Sequence, residues 1–328
     1  MGYTKLFDPD SRDASGLDEH GHRLGDQADR AAYVYDDTIV LAVNVALATG
    51  RPLLVSGEPG TGKSSLASDV ASKLGWRFYP KTISSSTQAR DLLWTFDTVR
   101  RLSDAQAEDG VAHPAAYVEP GVLWWAFEHD LATRRGLSKE KFAELSADPR
   151  NRLGPASYET ANKDATRAVV LLDEIDKADP DVPNDLLEPL GSFRFRVVEG
   201  ALNAPVKAER APLVFITTNG ERDLPQAFLR RCVHLEIEPA TQVNKRLLSI
   251  AAAHFRNDEA DADGAVPLHK AVSDRYFELR KAAKGRKPST AEYLDAVSAC
   301  RDLGLNPSQP DWETELARIA AATLIKRG

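Results

Sequence analysis

A glycine-rich loop between an apolar run and a helical segment has the composition of a phosphate-binding site. The loop reads Gly57, Glu58, Pro59, Gly60, Thr61, Gly62, Lys63, Ser64 and Ser65. Glycines let the backbone curl, so that successive N–H groups and the positive end of the next helix face an anion. We expect Lys63 to reach the β- and γ-phosphates of a nucleotide and the Ser64 hydroxyl to bind Mg²⁺. The loop therefore predicts a nucleoside triphosphate site, against the alternative of a glycine-rich turn without a nucleotide.

Two carboxylates follow a second apolar run. Residues 168–172 are uninterrupted apolar side chains, typical of a strand buried on both faces of a parallel sheet, and Asp173 and Glu174 come directly after them. Open α/β sheets bind their ligands at the carboxyl ends of strands. We therefore expect Asp173 to hold Mg²⁺ through water and Glu174 to polarise an attacking water. A pair of surface carboxylates at a strand end is the alternative.

A polar side chain also ends a third apolar run. Residues 213–218 read as another buried strand, and Asn219 stands at its tip. Between two central strands, the Asn219 amide would orient the same water as Glu174. An asparagine that merely caps the strand remains the alternative.

The pattern between these residues predicts the elements that position them. A helix is predicted over residues 36–49 ahead of the loop, because acidic residues stand at its start and Gly50 follows its end. A further helix is predicted from the loop to about residue 74. Tyr33 and Tyr35 precede the first helix, where they line an adenine slot or pack into the core. The pattern also predicts strands at 77–80 and 233–237, a hairpin arm at 193–200, a helix start at 84–94 and helices at 181–190 and 225–231.

Three polar stretches interrupt this order. Residues 1–30 form an acidic arm that we expect to be ordered only if it docks. Residues 94–120 are rich in Asp, Gly and Pro and predict an inserted hairpin. Residues 133–167 lengthen the connection to the strand at 168, as a solvated loop or as a partner surface.

Composition excludes several classes of protein. With 328 residues, 42% hydrophobic and 28% charged, the chain is an ordinary globular protein rather than a disordered or fibrous one. Two cysteines without ligand spacing indicate a reducing compartment, and the absence of a long apolar segment places the protein in the cytoplasm without a membrane contact. A net charge of −7 weighs against a nucleic-acid partner. The basic cluster at residues 280–287 reads as a solvated helix end or a ligand site.

The order of these motifs resembles the AAA+ ATPases and, within them, the MoxR-like branch. The resemblance implies an α/β core with a five-stranded parallel sheet, followed by a small all-helical lid. On that pattern the arm covers residues 1–30, the core 31–240 with insertions at 94–120 and 133–167, and the lid 241–328. The matching segments are residues 57–64, 90–94, 119–123, 171–178, 186–188, 217–219 and 227–231.

The resemblance also implies a mechanism and partners. ATP and Mg²⁺ are the expected ligands, and the chain is expected to assemble into a ring, usually hexameric. Arg231 matches the arginine that reaches the γ-phosphate of the neighbouring subunit, with Arg230 as a nearby substitute; an ion pair within the chain is the alternative for both. The usual lid arginine after a proline is missing, so that Arg286 or Lys287 is left to act from a displaced position.

The expected activity is ATP hydrolysis coupled to remodelling of a protein partner. The insertion at 94–120 is the candidate for gripping that partner, and the family suggests a separate von Willebrand factor A domain protein. A nucleic-acid motor and a nucleotide switch or scaffold without rapid turnover are the competing hypotheses.

Overall fold

The computed structural model describes residues 4–10, 33–107, 110–158, 160, 165–199, 202–237, 245–255, 258, 266–283 and 285–324. Packing divides the chain into two compact units. The first comprises Met1–Gly16, Asp37–Val55 and Val70–Leu235, and the second Leu17–Asp36, Ser56–Asp69 and Glu236–Gly328. The predicted domain boundaries at residues 30 and 240 stay predictions. Most of the acidic arm, residues 11–30, lies outside the described residues.

The strands lie where apolar runs predict them. A five-stranded sheet has the order β2-β5-β8-β1-β9, and the two short hairpins are β3-β4 and β6-β7. The pairs β2-β5 and β5-β8 are parallel, as predicted. The strands are β1 Leu53–Ser56, β2 Arg77–Thr82, β3 Trp94–Phe96, β4 Val118–Pro120, β5 Ala168–Asp173, β6 Arg194–Glu199, β7 Leu202–Lys207, β8 Leu213–Thr218 and β9 Val233–Glu236.

The helices follow the order expected for an α/β core and a helical C-terminal region. They are α1 Asp37–Thr49, α2 Lys63–Leu74, α3 Thr98–Gln106, α4 Val122–Phe127, α5 His129–Thr133, α6 Lys139–Ser146, α7 Asp181–Asp185, α8 Leu187–Ser192, α9 Gln226–Leu229, α10 Lys245–His254, α11 Pro267–Ala282, α12 Thr290–Asp302 and α13 Trp312–Thr323. The predicted strands and the inserted hairpin are present within a few residues of their predicted ends, and α10 to α13 lie in the region where a helical lid is expected.

The two central strands of the sheet are buried along their length. Residues of β5 up to Leu172 and all residues of β8 are buried, because the sheet is covered on both faces. Trp124, Trp125 and Phe127 of α4 belong to the same core, and Phe195 of β6 packs against Trp124 and Phe127. This core holds β5 and β8 in the register that brings their carboxyl ends together.

Two predicted helices are shorter than their patterns suggest. The segment 181–190 forms α7 and α8 rather than one helix, because Pro189 has no N–H for the carbonyl of Asp185 and its ring crowds that carbonyl. The helix start at 84–94 is a single 3₁₀ turn, Ala89–Leu92. It stops there because β3 begins at Trp94 and pairs with β4.

The inserted hairpin contains a helix that the sequence pattern did not predict. Asp97 caps α3 by accepting a hydrogen bond from the backbone N–H of Arg100. The 133–167 segment contributes α6 and a side chain that braces the insertion. Arg152 donates to Asp104 at 3.1 Å, and Tyr117 donates to the same carboxylate at 2.6 Å. The two interruptions are therefore joined by a polar network.

In the second unit, α10 to α13 pack around their own apolar cluster. Buried aromatic residues from three helices meet there, namely Tyr276, Tyr293 and Trp312. Ser289 caps α12 together with Glu292, whose carboxylate accepts from the Ser289 backbone N–H. The predicted all-helical character of this region is confirmed.

A buried asparagine explains the interruption of the apolar stretch in α1. Asn44 accepts from the backbone N–H groups of Leu6 and Phe7 and donates to the carbonyls of Phe7 and Val40. Phe7 is buried as a result. The start of the predicted arm is thus docked on α1 through Asn44, and Lys73 of α2 also donates to the Pro9 carbonyl at 3.0 Å.

We expect Asn44→Ala to lower the free energy of unfolding by about 2–4 kcal/mol, since the backbone N–H groups of Leu6 and Phe7 lose this acceptor and Phe7 loses its anchor. Urea denaturation measures this loss. The control is Asn203→Ala on the exposed side of β7, where a change of less than about 0.5 kcal/mol is expected. Equal stability of the two variants would show that residues 4–10 are not held in this way.

Candidate nucleotide-binding site

The glycine-rich loop folds around the ammonium group of its own lysine. Lys63 is buried at the start of α2, and its Nζ donates at 2.9 Å to the carbonyls of Gly57 and Glu58. Thr61 closes the turn by donating to the Glu58 carbonyl at 2.9 Å. The loop thus bends over the N-terminal end of α2, the arrangement in which backbone N–H groups and a helix dipole favour an anion.

Two glycines of the loop stand where no side chain fits. A Cβ on Gly57 would lie 2.5 Å from the carbonyl oxygen of Ile237. Gly60 has a φ of +73°, and a Cβ there would lie 2.6 Å from Ser289 Oγ. Both positions therefore need glycine for reasons of space as well as of conformation.

The C-terminal helices of the same unit contact this loop directly. The backbone N–H of Ala291, in the first turn of α12, donates to the Gly60 carbonyl at 3.2 Å. Arg280, near the end of α11, lies 3.0 Å from a Glu58 carboxylate oxygen. Arg286 instead pairs with Glu292 at 2.8 Å, and Lys287 is exposed. The basic residue that reaches the loop is therefore Arg280, which the sequence analysis placed only in a basic cluster.

The two tyrosines ahead of α1 pack against the loop and α2. The Tyr33 ring lies against Gly62, and the Tyr35 hydroxyl donates to Asp69 of α2 at 2.5 Å. Burial raises the pKa of both phenols far above the ordinary value, so that both are neutral. The packing role is seen directly, and the adenine slot stays a prediction.

At the carboxyl ends of β5 and β8, one threonine joins the two candidate carboxylates. Thr217 is fully buried and donates through its hydroxyl to Asp173 Oδ1 at 2.5 Å. The hydroxyl oxygen of Thr217 in turn accepts from the backbone N–H of Glu174 at 2.8 Å. The Thr217 hydroxyl therefore uses both its donor and acceptor capacity to fix the end of β5.

Glu174 is held in an uncommon conformation with both carboxylate oxygens engaged. Its backbone is left-handed, with a φ of +62° and a ψ of +51°. Asn219 Nδ2 donates to Oε1 at 3.2 Å, and Lys177 Nζ donates to Oε2 at 2.6 Å. The hydrogen bond that Lys177 donates to Glu174 raises the pKa of the Lys177 ammonium, so that the lysine stays charged at neutral pH. The structure thus brings Glu174 and Asn219 together, as the order of strands suggested.

A third carboxylate, Asp176, fixes the backbone around Asn219. Asp176 is 3% exposed, and its Oδ2 accepts from the N–H groups of Asn219 at 3.1 Å and Glu221 at 3.0 Å. The turn after β5 and the loop after β8 are therefore joined at three points, through Thr217, Asn219 and Asp176. Neither Asp176 nor Lys177 was predicted to be a site residue, although both lie within four residues of Asp173.

The two candidate arginines lie on the surface. Arg230 and Arg231 are exposed at the end of α9, and Arg231 Nη1 donates to the Leu187 carbonyl at 2.9 Å. Within the described ranges neither guanidinium forms an ion pair with a carboxylate. The intrachain ion pair that we kept as the alternative is therefore absent from this part of the chain.

The two predicted magnesium ligands are oxygen donors of the kind that a hard cation prefers. The Ser64 hydroxyl follows Lys63 in α2, and the Asp173 carboxylate ends β5; a joint site for one Mg²⁺ stays a prediction. Among the residues that the structure describes, no group of three or more His, Cys, Asp or Glu could hold a metal ion. A hydroxyl and a carboxylate as ligands fit Mg²⁺, which keeps waters and phosphate oxygens as its other ligands, better than a transition metal.

A parallel sheet with a glycine-rich loop after one strand and a carboxylate after another defines the chain as a P-loop nucleoside triphosphatase fold. The family model for the AAA domain of the dynein-related subfamily matches residues 52–232. The chain belongs to this family. The predicted fold class and the resemblance to AAA+ ATPases are thereby confirmed. In the described part of the chain, each helix is too short or too polar to cross a membrane.

Similar proteins cover different parts of the chain. The aerobic cobaltochelatase subunit CobS of Sinorhizobium sp is 30% identical over 100 residues, which are 30% of this chain and 27% of CobS. The Thermotoga maritima RuvB Holliday junction branch migration motor is 14% identical to this chain, with a TM-score of 0.41. The matched region covers 86% of this chain and 66% of the RuvB chain. A mutant of that RuvB has a TM-score of 0.47 at 12% identity, and the matched region covers 88% of this chain and 71% of the mutant chain.

We expect Thr217→Val to lower the free energy of unfolding by about 1–3 kcal/mol, because the Glu174 N–H and Asp173 Oδ1 lose a buried partner while shape is kept. Urea denaturation provides the measurement. Thr95→Val, an exposed position of β3, is the matched control and should leave stability within about 0.5 kcal/mol. Indistinguishable curves for the two variants would contradict the bridging role of Thr217.

Proposed function

We propose that this chain binds ATP with Mg²⁺ and hydrolyses it, and that it belongs to the MoxR-like branch of the AAA+ proteins. The observation that carries the proposal is the network at the ends of β5 and β8, in which Asn219 holds the carboxylate of Glu174 next to Asp173 and Thr217. A structural surface loop has no need of a strained glutamate that is fixed from three sides. Family membership supports assigning this network and the glycine-rich loop to one nucleotide.

Each residue has a defined part in the proposed reaction. The loop N–H groups and Lys63 bind the phosphates, and Ser64 and Asp173 hold Mg²⁺, which supplies charge neutralisation when it is bound. Glu174 orients the attacking water and accepts its proton, and Asn219 fixes the direction of the Glu174 carboxylate. In this proposal Lys177 has to release Glu174 Oε2 before that oxygen can accept a proton.

We further propose a ring, usually a hexamer, in which Arg231 completes the site of the neighbouring subunit. The exposure of Arg230 and Arg231 supports this role, because a guanidinium that acts on another subunit must be accessible in the single chain. An arginine supplied in trans stabilises transition-state charge and makes hydrolysis depend on assembly.

The output of hydrolysis is proposed to be remodelling of a separate protein partner. Helix α3 of the insertion has no buried residue, and Val99 and Leu102 are 78% and 63% exposed one turn apart. Exposed apolar side chains on an inserted helix support a gripping role. The name of CobS, a subunit of an aerobic cobaltochelatase, supports work within a larger assembly. A von Willebrand factor A domain protein is the partner class that the MoxR-like branch suggests.

A nucleotide-dependent switch or scaffold is the second candidate function. The observation in its favour is that both oxygens of Glu174 are occupied, by Asn219 and by Lys177. With both carboxylate oxygens of Glu174 held in this way, ATP hydrolysis would be slow. Single-turnover hydrolysis separates the two functions, since a motor clears bound ATP and a switch retains it.

We expect Lys63→Ala to abolish ATP binding and Glu174→Gln to retain ATP while hydrolysis falls by at least about 100-fold, because only the second change spares the phosphate cradle. Equilibrium binding of a fluorescent ATP analogue and phosphate release measure the two effects. Lys73→Ala, in the last turn of α2, is the control for the loss of a lysine from that helix. Tight ATP binding by Lys63→Ala, or normal hydrolysis by Glu174→Gln, would remove that residue from the mechanism.

We expect mixtures of Arg231→Ala and Glu174→Gln chains to regain activity that neither has alone. At a mixed interface, the site with an intact Glu174 receives Arg231 from its neighbour. The measurement is the ATPase rate across mixing ratios, with light scattering to follow assembly. The same titration with Arg230→Ala decides which arginine acts. No recovery at any ratio for either arginine would count against a shared site.

A further inference from the structure

Glu58 places a negative charge inside a loop built to bind an anion. It is the second residue of the glycine-rich loop, and its side chain is 44% exposed. A carboxylate beside a nucleotide phosphate repels it unless a cation offsets the charge. The loop therefore carries a feature that its proposed ligand does not explain.

Arg280 of the same unit offsets this charge from a fixed position. Its Nη2 lies 3.0 Å from Glu58 Oε2, and its side chain is only 8% exposed. The other terminal nitrogen donates to the Pro288 carbonyl and, at 3.3 Å, to the Tyr276 hydroxyl. A guanidinium held by three partners is a rigid support rather than a mobile arm.

The bond to Pro288 links the Glu58 contact to a second contact with the loop. Pro288 precedes Ser289, the cap of α12, and the N–H of Ala291 donates to the Gly60 carbonyl. Ser289 also fills the space beside Gly60. Arg280 thus supports the loop directly through Glu58 and indirectly through the chain segment that lies against Gly60.

We propose that Arg280 is a positioning residue for the phosphate loop, acting through Glu58 rather than by touching the nucleotide. This inference rests on the proposed function of the loop as a nucleotide site. Because the support concerns the loop itself, ADP and ATP depend on it equally. A residue that contacted the γ-phosphate would affect ATP alone.

The test is a double-mutant cycle of Glu58→Gln and Arg280→Met, with Kd measured for fluorescent ADP and ATP analogues. We expect Arg280→Met to weaken both nucleotides about tenfold, since it leaves an unpaired carboxylate beside the phosphates. Glu58→Gln alone is expected to change either Kd by less than about threefold, and the double variant to recover at least half of the loss on a logarithmic scale.

Arg275→Met is the matched control, because Arg275 lies on the same helix and pairs with Glu278 away from the loop. It should leave both Kd values unchanged. If circular dichroism shows that Arg280→Met does not fold, Arg280→Lys replaces it, because lysine keeps the charge and loses the planar set of donors of the guanidinium. We expect Arg280→Lys to weaken the affinity for both nucleotides about threefold, and by less in the Glu58→Gln background.

Two results would be decisive against the inference. A double variant as weak as Arg280→Met shows that Arg280 does not act through Glu58, and a loss confined to ATP shows contact with the γ-phosphate. Recovery in the double variant with equal effects on ADP and ATP supports the inference. No nucleotide binding by the unchanged chain overturns the proposed function itself, and is thereby distinguished from failure of the inference alone.

Discussion

The hydroxyl of Thr217 is the contact on which the acidic end of β5 depends. It donates to Asp173 and accepts from the N–H of Glu174, and it can do both only because β5 and β8 are neighbours in parallel register. A residue without a hydroxyl would remove one hydrogen-bond partner from each of these two groups, at a total cost of about 1–3 kcal/mol. The apolar burial of both strands provides the rigid frame for this single hydrogen-bonded junction.

Three carboxylates lie within four residues of the chain, and each accepts hydrogen bonds from different donors. Asp173 is bonded by Thr217, Glu174 by Lys177 and Asn219, and Asp176 by two backbone N–H groups. The left-handed backbone of Glu174 costs about 1 kcal/mol or more, and these bonds maintain it. Such strain at a fixed carboxylate is characteristic of sites that hold a reactive group in one direction. The same bonds thus stabilise the turn and fix the direction of the Glu174 carboxylate.

The conformation of the glycine-rich loop has both local and distant causes. Its curl comes from glycines and from the lysine that bonds its carbonyls, both encoded within seven residues. Its support comes from α11 and α12, more than two hundred residues later. Arg286 stands nearer in sequence to the position where a lid arginine was expected, but it pairs with Glu292 and stabilises the start of α12.

The sequence by itself determined the strands, the loop and the residue types at the strand ends, because apolar runs and glycine spacing are local signals. It also predicted the hairpin at 94–120 and the helical C-terminal region. It could not show that Asp176 bonds the loop after β8, that Lys177 holds Glu174 or that Arg280 reaches Glu58. Those contacts join residues through side-chain directions that only the packed sheet and helices settle. Pro189 illustrates a local cause, because its clash with the preceding turn breaks a predicted helix. Asn44 illustrates a tertiary cause, because only the docking of Phe7 explains a polar residue in the apolar face of α1.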